Sequence, residues 1–131
     1  VTFAADMARI ALKTRTRLEA AVRNSVVAIG TDLVTGSPVD TGRFRANWRA
    51  GLDEIDRTTD DKIDKVGQVS IDRIRATADT MKIGDVVYLT NSLHYALALE
   101  YGWSRQAPFG MVRVTCARAS VLIADAIRNT A

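Results

Sequence analysis

The first 34 residues constrain this chain most. Met7, Ile10, Ala11, Leu18, Ala21, Val22, Val26, Ile29 and Leu33 recur at steps of three and four, which puts them on one stripe of a helix over 2–34. Arg9, Lys13, Arg17 and Arg23 fall mostly off that stripe. Gly36 and Pro38 predict its end, because glycine can take a left-handed cap and proline cannot continue a helix. A helix of about 33 residues is ~50 Å long at 1.5 Å per residue. A chain of 131 residues folds to a radius of gyration of only ~14 Å. The helix must therefore project from the domain, bend, or pack on a neighbouring subunit.

The remaining pattern alternates short elements. Ser37–Gly42 predicts a turn made by Pro38, Asp40, Thr41 and Gly42, with Asp40 accepting from backbone N–H groups ahead of it and Gly42 free to take positive φ. Residues 43–52 alternate loosely as a strand. Phe44, Ala46, Trp48 and Ala50 share the core face; Arg43, Arg45, Asn47 and Arg49 share a basic outer face. Residues 53–62 are polar and acidic and predict a mobile loop. A second helix is expected over 63–81, through Ile63, Val66, Ser70, Ile71, Ile74, Ala78 and Met81, with Gly67 inside it. Gly84-Asp85 is a turn, Val86–Thr90 a strand, and Leu93–Tyr101 a short helix closed by Gly102. Trp103–Phe109 is a loop whose exit Pro108 fixes, and 110–130 is a last helix. The expected class is α+β: a long N-terminal helix, a small, mostly antiparallel sheet and a C-terminal helix. By size this is one domain over 1–131, with 53–82 as a mobile insertion.

Charge is uneven along the chain. Residues 1–52 carry 8 basic and 4 acidic groups, 53–85 carry 6 and 9, and 86–131 carry 4 and 2. Fourteen of the 18 basic residues are arginine, a residue suited to bidentate pairing at interfaces. A net charge of +3 is small for a dedicated DNA-binding protein. No apolar run approaches the ~18 residues of a membrane span. The single cysteine, Cys116, excludes an internal disulfide and reads as a small buried hydrophobe in the last helix.

Few residues suggest chemistry. Asp40-Thr41-Gly42 is the tripeptide of retroviral aspartic proteases, which dimerise to pair two carboxylates around one proton. Those enzymes are almost all strand, whereas this chain begins with a long helix, and Arg43 follows the tripeptide at once. A turn is the better reading. One His and one Cys, 22 positions apart, do not make a metal site. Asp53, Glu54, Asp56, Asp60, Asp61 and Asp64 lack the spacing of a calcium loop. No glycine-rich phosphate cradle is present. No catalytic, cofactor or metal residue is expected, and His94 reads as structural. Glu100, near a helix end, is expected to pair with an arginine. Trp103 beside Tyr101 and Arg105 has the make-up of an interface hot spot, or of a residue packed on the last helix.

Two blocks carry a family resemblance. The first is Pro38-x-Asp40-Thr41-Gly42-Arg43 followed by Phe44, Arg45, Asn47 and Trp48. The second is Asn91-x-x-x-Tyr95-Ala96-x-x-x-Glu100-Tyr101-Gly102 followed by Gln106 and Pro108. In this order, about 50 residues apart, they resemble the small tail-completion and minor tail proteins of long-tailed bacteriophages. The resemblance implies a virion structural protein of the head–tail junction or upper tail, assembled in the host cytoplasm, with no membrane partner. It implies a ring, commonly six-fold, around the DNA channel. The implied contacts are with connector, tail-terminator or tail-tube proteins and, in the channel, with DNA. The expected subunit interface sets Arg43, Arg45 and Arg49 against Glu100, Tyr101, Trp103 and Arg105. An arginine–glutamate pair there would set register more than affinity. The alternative is a nucleic-acid-binding module that uses the arginine strand, with steep salt dependence.

Overall fold

The structure, a computed structural model, describes residues 2–130. Helix α1 (Phe3–Thr35) opens at Thr2, whose hydroxyl accepts the Ala5 N–H at 3.1 Å. It ends at Gly36 without the expected left-handed cap. Gly36 stays right-handed (φ −77°), and its N–H reaches Asp32 O and Val34 O. Two further helices lie against α1. Helix α3 (Gln68–Thr80) brings Ile74 against Gly30, and α5 (Val112–Arg128) reaches it through Thr115 and Arg118, which both hydrogen-bond Asp32. Strands β1 (Trp48–Leu52) and β2 (Val87–Asn91) form one antiparallel pair, Trp48 opposite Asn91 and Leu52 opposite Val87. Two short helices complete the order, α2 (Arg43–Ala46) and α4 (Ala96–Glu100). The mixed α+β class follows.

The core gathers where these elements converge on the C-terminal half of α1: Leu33, Val34, Phe44, Trp48, Ile71, Ile74, Leu93, Ala107 and Met111. Phe44 and Trp48 meet edge-on at 5.9 Å between ring centres, a favoured aromatic geometry. The Trp48 indole N–H donates to Ser37 Oγ at 2.8 Å, so its one polar group is satisfied inside.

Four expectations need correction. Residues 43–47 are not a strand. Gly42 takes φ +94°, and the chain leaves it as one helical turn, with the Ala46 N–H bonded to Gly42 O. Only 48–52 are extended, so the three arginines share no strand face. The acidic stretch is not a mobile loop: residues 53–67 form a strap pinned across α2 and β1. Asp56, Asp60 and Asp64 each accept the backbone N–H two residues on, in Thr58, Lys62 and Val66, which makes three successive Asx turns. The helix expected from 63 begins only at Gln68, because Gly67 is left-handed at its start; Ile71, Ile74 and Ala78 then enter the core. Lastly, Cys116 is exposed, on the outer side of α5.

Helix α1 projects. Every residue from Phe3 to Leu18 is exposed except Asp6, which is half-buried. Phe3, Met7 and Ile10 lie on one side of this arm, 81%, 50% and 58% exposed. The same side continues through Thr14 and Leu18 to Ala21. There a cleft of about 300 Å³ opens against Ile127 and Thr130, at the end of α5. The apolar stripe is continuous, but its cover is not: α5 has 17 residues against the 33 of α1.

Candidate functional site

The two sequence blocks meet inside one molecule. The Val39 N–H donates to Gln106 Oε1 at 2.9 Å, and Gln106 Nε2 donates back to Val39 O at 2.8 Å. Phe44 lies 6.0 Å from Tyr95, ring to ring. Asn91 Nδ2 donates to Phe44 O at 2.8 Å. Between the blocks is a cleft of about 260 Å³ lined by Pro38–Phe44 on one side and Tyr95, Leu99, Ser104 and Gln106 on the other. Both blocks therefore join parts of the same fold.

Gly42 is required at this join. A Cβ there would lie 2.6 Å from backbone atoms of Asp64 and Lys65, and φ is positive, so any side chain would push the strap away. Thr41, rather than Asp40, braces the turn: its hydroxyl accepts the Arg43 N–H at 3.2 Å, while Asp40 is exposed and makes no hydrogen bond among the described residues.

Arg43, Arg45 and Arg49, expected at a subunit interface, are instead engaged by their own chain. Arg45 donates to Thr35 O (2.8 Å), Ser37 O (2.9 Å) and Lys65 O (2.9 Å). It thus places a positive charge at the end of α1, whose last turn has no basic residue of its own. Arg49 is 7% exposed; it donates to Thr58 O at 3.0 Å and to the Asp60 carboxylate at 3.0 Å. That bond, and the Lys62 N–H, hold the Asp60 carboxyl below its ordinary range. Arg43 donates to Asp60 O at 3.2 Å and pairs with the exposed Asp61. Arg73 joins the set through Ala46 O and Trp48 O, and burial pushes its pKa down. Charged donors on carbonyls take the place of strand neighbours around a two-stranded sheet. Replacing Arg45 by alanine is expected to destabilise the monomer by about 2 kcal/mol, read as a lower denaturation midpoint, since three carbonyls lose a charged donor together.

Glu100 does pair with an arginine, but within its own chain. Its carboxylate accepts the N–H groups of Met111 (2.9 Å), Val112 (2.8 Å) and Arg113 (3.2 Å), and Arg113 Nε donates at 3.1 Å. It is the N-terminal cap of α5, supplied from another element. Burial pushes the carboxyl up; the three backbone donors and the Arg113 guanidinium outweigh it and hold Glu100 below its ordinary range. Gly110 permits this approach, as a Cβ there would lie 2.4 Å from Glu100 Oε2. Arg113 also stacks over Tyr101, 5.3 Å from the ring centre. Gly102 closes α4 in the left-handed conformation, as expected.

This corner remains open outward. Leu97, Tyr101, Trp103 and Phe109 are 68%, 66%, 82% and 75% exposed, with Arg105 exposed beside them. Trp103 does not pack on α5. Next to the corner lies an apolar cleft of about 370 Å³ lined by Leu89, Leu93, Leu97 and Val112. Sequence reasoning missed Arg113, Gly110 and Phe109. It also missed Asp32, which takes both Thr115 Oγ1 (2.7 Å) and Arg118 of α5. An acid near the end of α1 facing a helix rich in arginine was the available signal. Comparison with known proteins finds no matching family model, no similar curated protein and no similar solved structure.

Proposed function

We propose that this chain is a structural subunit that works by assembly, a ring-forming component of the kind found at phage head–tail junctions or upper tails. The observation that carries the reading is the arm. Sixteen residues of α1, Phe3–Leu18, extend the apolar stripe of the domain into solvent where none of the described residues covers it. A contiguous apolar surface of this kind marks an interaction site. The aromatic corner is a second such surface near the opposite end of α1. An arm that docks on a different surface of the next subunit makes a heterologous contact, which closes as a ring when the rotation between subunits allows. The resemblance of the two sequence blocks to tail-completion proteins supports a ring in a virion, around a DNA channel. The corner at Tyr101, Trp103 and Phe109 is then the surface for a neighbouring connector, terminator or tail-tube protein. A nucleic-acid module built on Arg43, Arg45 and Arg49 finds no support, because these side chains are committed to carbonyls and carboxylates of their own chain. Negative-stain microscopy of the full chain tests the reading. Closed rings are expected; a species that stays monomeric at every concentration contradicts it.

A further inference from the structure

The geometry points to the surface that receives the arm: the exposed arm of one copy docks on the acidic strap, residues 53–67, of a second copy. The inference rests on the assembly reading above and names its contact.

Charge complementarity selects the strap. The arm Phe3–Leu18 carries Arg9, Lys13, Arg15 and Arg17 against the single acid Asp6. Residues 53–67 carry six carboxylates against Arg57, Lys62 and Lys65. Both surfaces also offer apolar anchors. Phe3, Met7 and Ile10 stand on the arm; Ile55, Ile63 and Val66 stand on or at the end of the strap, 44%, 66% and 68% exposed. Apolar anchors supply affinity, and opposite fields set orientation and exclude wrong partners. The aromatic corner is the poorer mate for the arm, because Arg105 and Arg113 lie there and only Arg113 has an acidic partner among the described residues.

Distance makes the contact intermolecular. Arg45 ties Lys65 O to Thr35 O, and Gly67 lies against Val34, so the strap sits at the C-terminal end of α1. Phe3 is 32 residues away along the same helix, or ~48 Å at 1.5 Å per residue. An unbroken helix cannot bring its own start to its own end. Only another copy can present a strap to the arm.

A charge swap between copies tests this. Lys13 and Arg17 form no ion pair among the described residues. Glu54 is exposed and unbonded there, and Asp61 is 97% exposed. All four can be reversed with little effect on the fold, Asp61 giving up only a solvent-exposed pair with Arg43, to be checked by thermal unfolding. The arm variant K13E/R17E and the strap variant E54K/D61K are each expected to associate at least about tenfold more weakly than the wild type, because like charges then face each other. Mixed in equal amounts, they are expected to recover assembly, since every contact again joins opposite charges. An arm variant that assembles like wild type, or a mixture that stays dissociated while wild type assembles, overturns the docking site and leaves the assembly reading standing. A wild-type particle that proves to be a closed dimer, with swap rescue intact, keeps the docking site and overturns the ring. A wild type that never associates overturns both.

Discussion

Replacing Trp48 by alanine is expected to lower stability by about 3–5 kcal/mol, the range for removing a large buried aromatic side chain. Trp48 is 3% exposed. It begins β1 opposite Asn91, lies edge-on to Phe44, and donates to Ser37 Oγ just beyond α1. Ser37 Oγ in turn donates to Leu33 O at 2.7 Å. One indole therefore fixes the end of the long helix, the turn after it and the sheet together. The loss is read as a fall in the chemical-denaturation midpoint. Trp48→Phe should lose less, since it keeps part of the aromatic contact and gives up only the hydrogen bond and the larger ring. A midpoint for Trp48→Ala within error of wild type would contradict this account of the core.

The second large effect is expected at Glu100. Glu100→Ala removes the acceptor of three backbone N–H groups and the partner of Arg113 together, at a cost of about 3 kcal/mol. The pH dependence gives an independent reading. The folded-state pKa of Glu100 is depressed below its unfolded value. Its contribution is thus fully present above the unfolded pKa, near 4.3 for a free glutamate, and is lost as pH falls through the lower folded value. Asp56, Asp60 and Asp64 are depressed as well, so acid should loosen the strap and the start of α5 together. Glu100→Gln keeps one acceptor and no titration. It should be less stable than wild type at pH 7, with the gap narrowing as pH drops below about 4. A gap that stays constant with pH would remove the depressed Glu100 from the account.

Legibility in the sequence followed the length of each element. The long helix and α5 were legible because a 3.6-residue period repeated over many turns leaves little choice. The four-residue helix Arg43–Ala46 was not, because one turn is too short for periodicity to distinguish from loose alternation. Its cause, the left-handed Gly42 against the strap, involves residues more than twenty positions apart. The strap was misread for a related reason. Its composition resembles that of a mobile linker, yet Asp56, Asp60 and Asp64 fall four residues apart and each closes an Asx turn. That spacing was present in the chain and is a usable signal. Arg45 and Arg49 were recognised as important, but their direction depended on carbonyls that only the folded strap supplies. For Glu100 the pairing was foreseen and the partner was not. The stripe on α1 named the apolar side correctly; how much of it the chain leaves bare depends on where α5 stops.

The central claim is that the bare arm is an assembly surface. Sedimentation velocity of the full chain, compared with Phe3→Glu/Met7→Glu/Ile10→Glu, tests it most directly, because these exposed side chains make no contribution to the monomer core. The account predicts a wild-type oligomer and a triple variant that sediments as a folded monomer with an unchanged monomer unfolding curve. Identical sedimentation of the two proteins would contradict it.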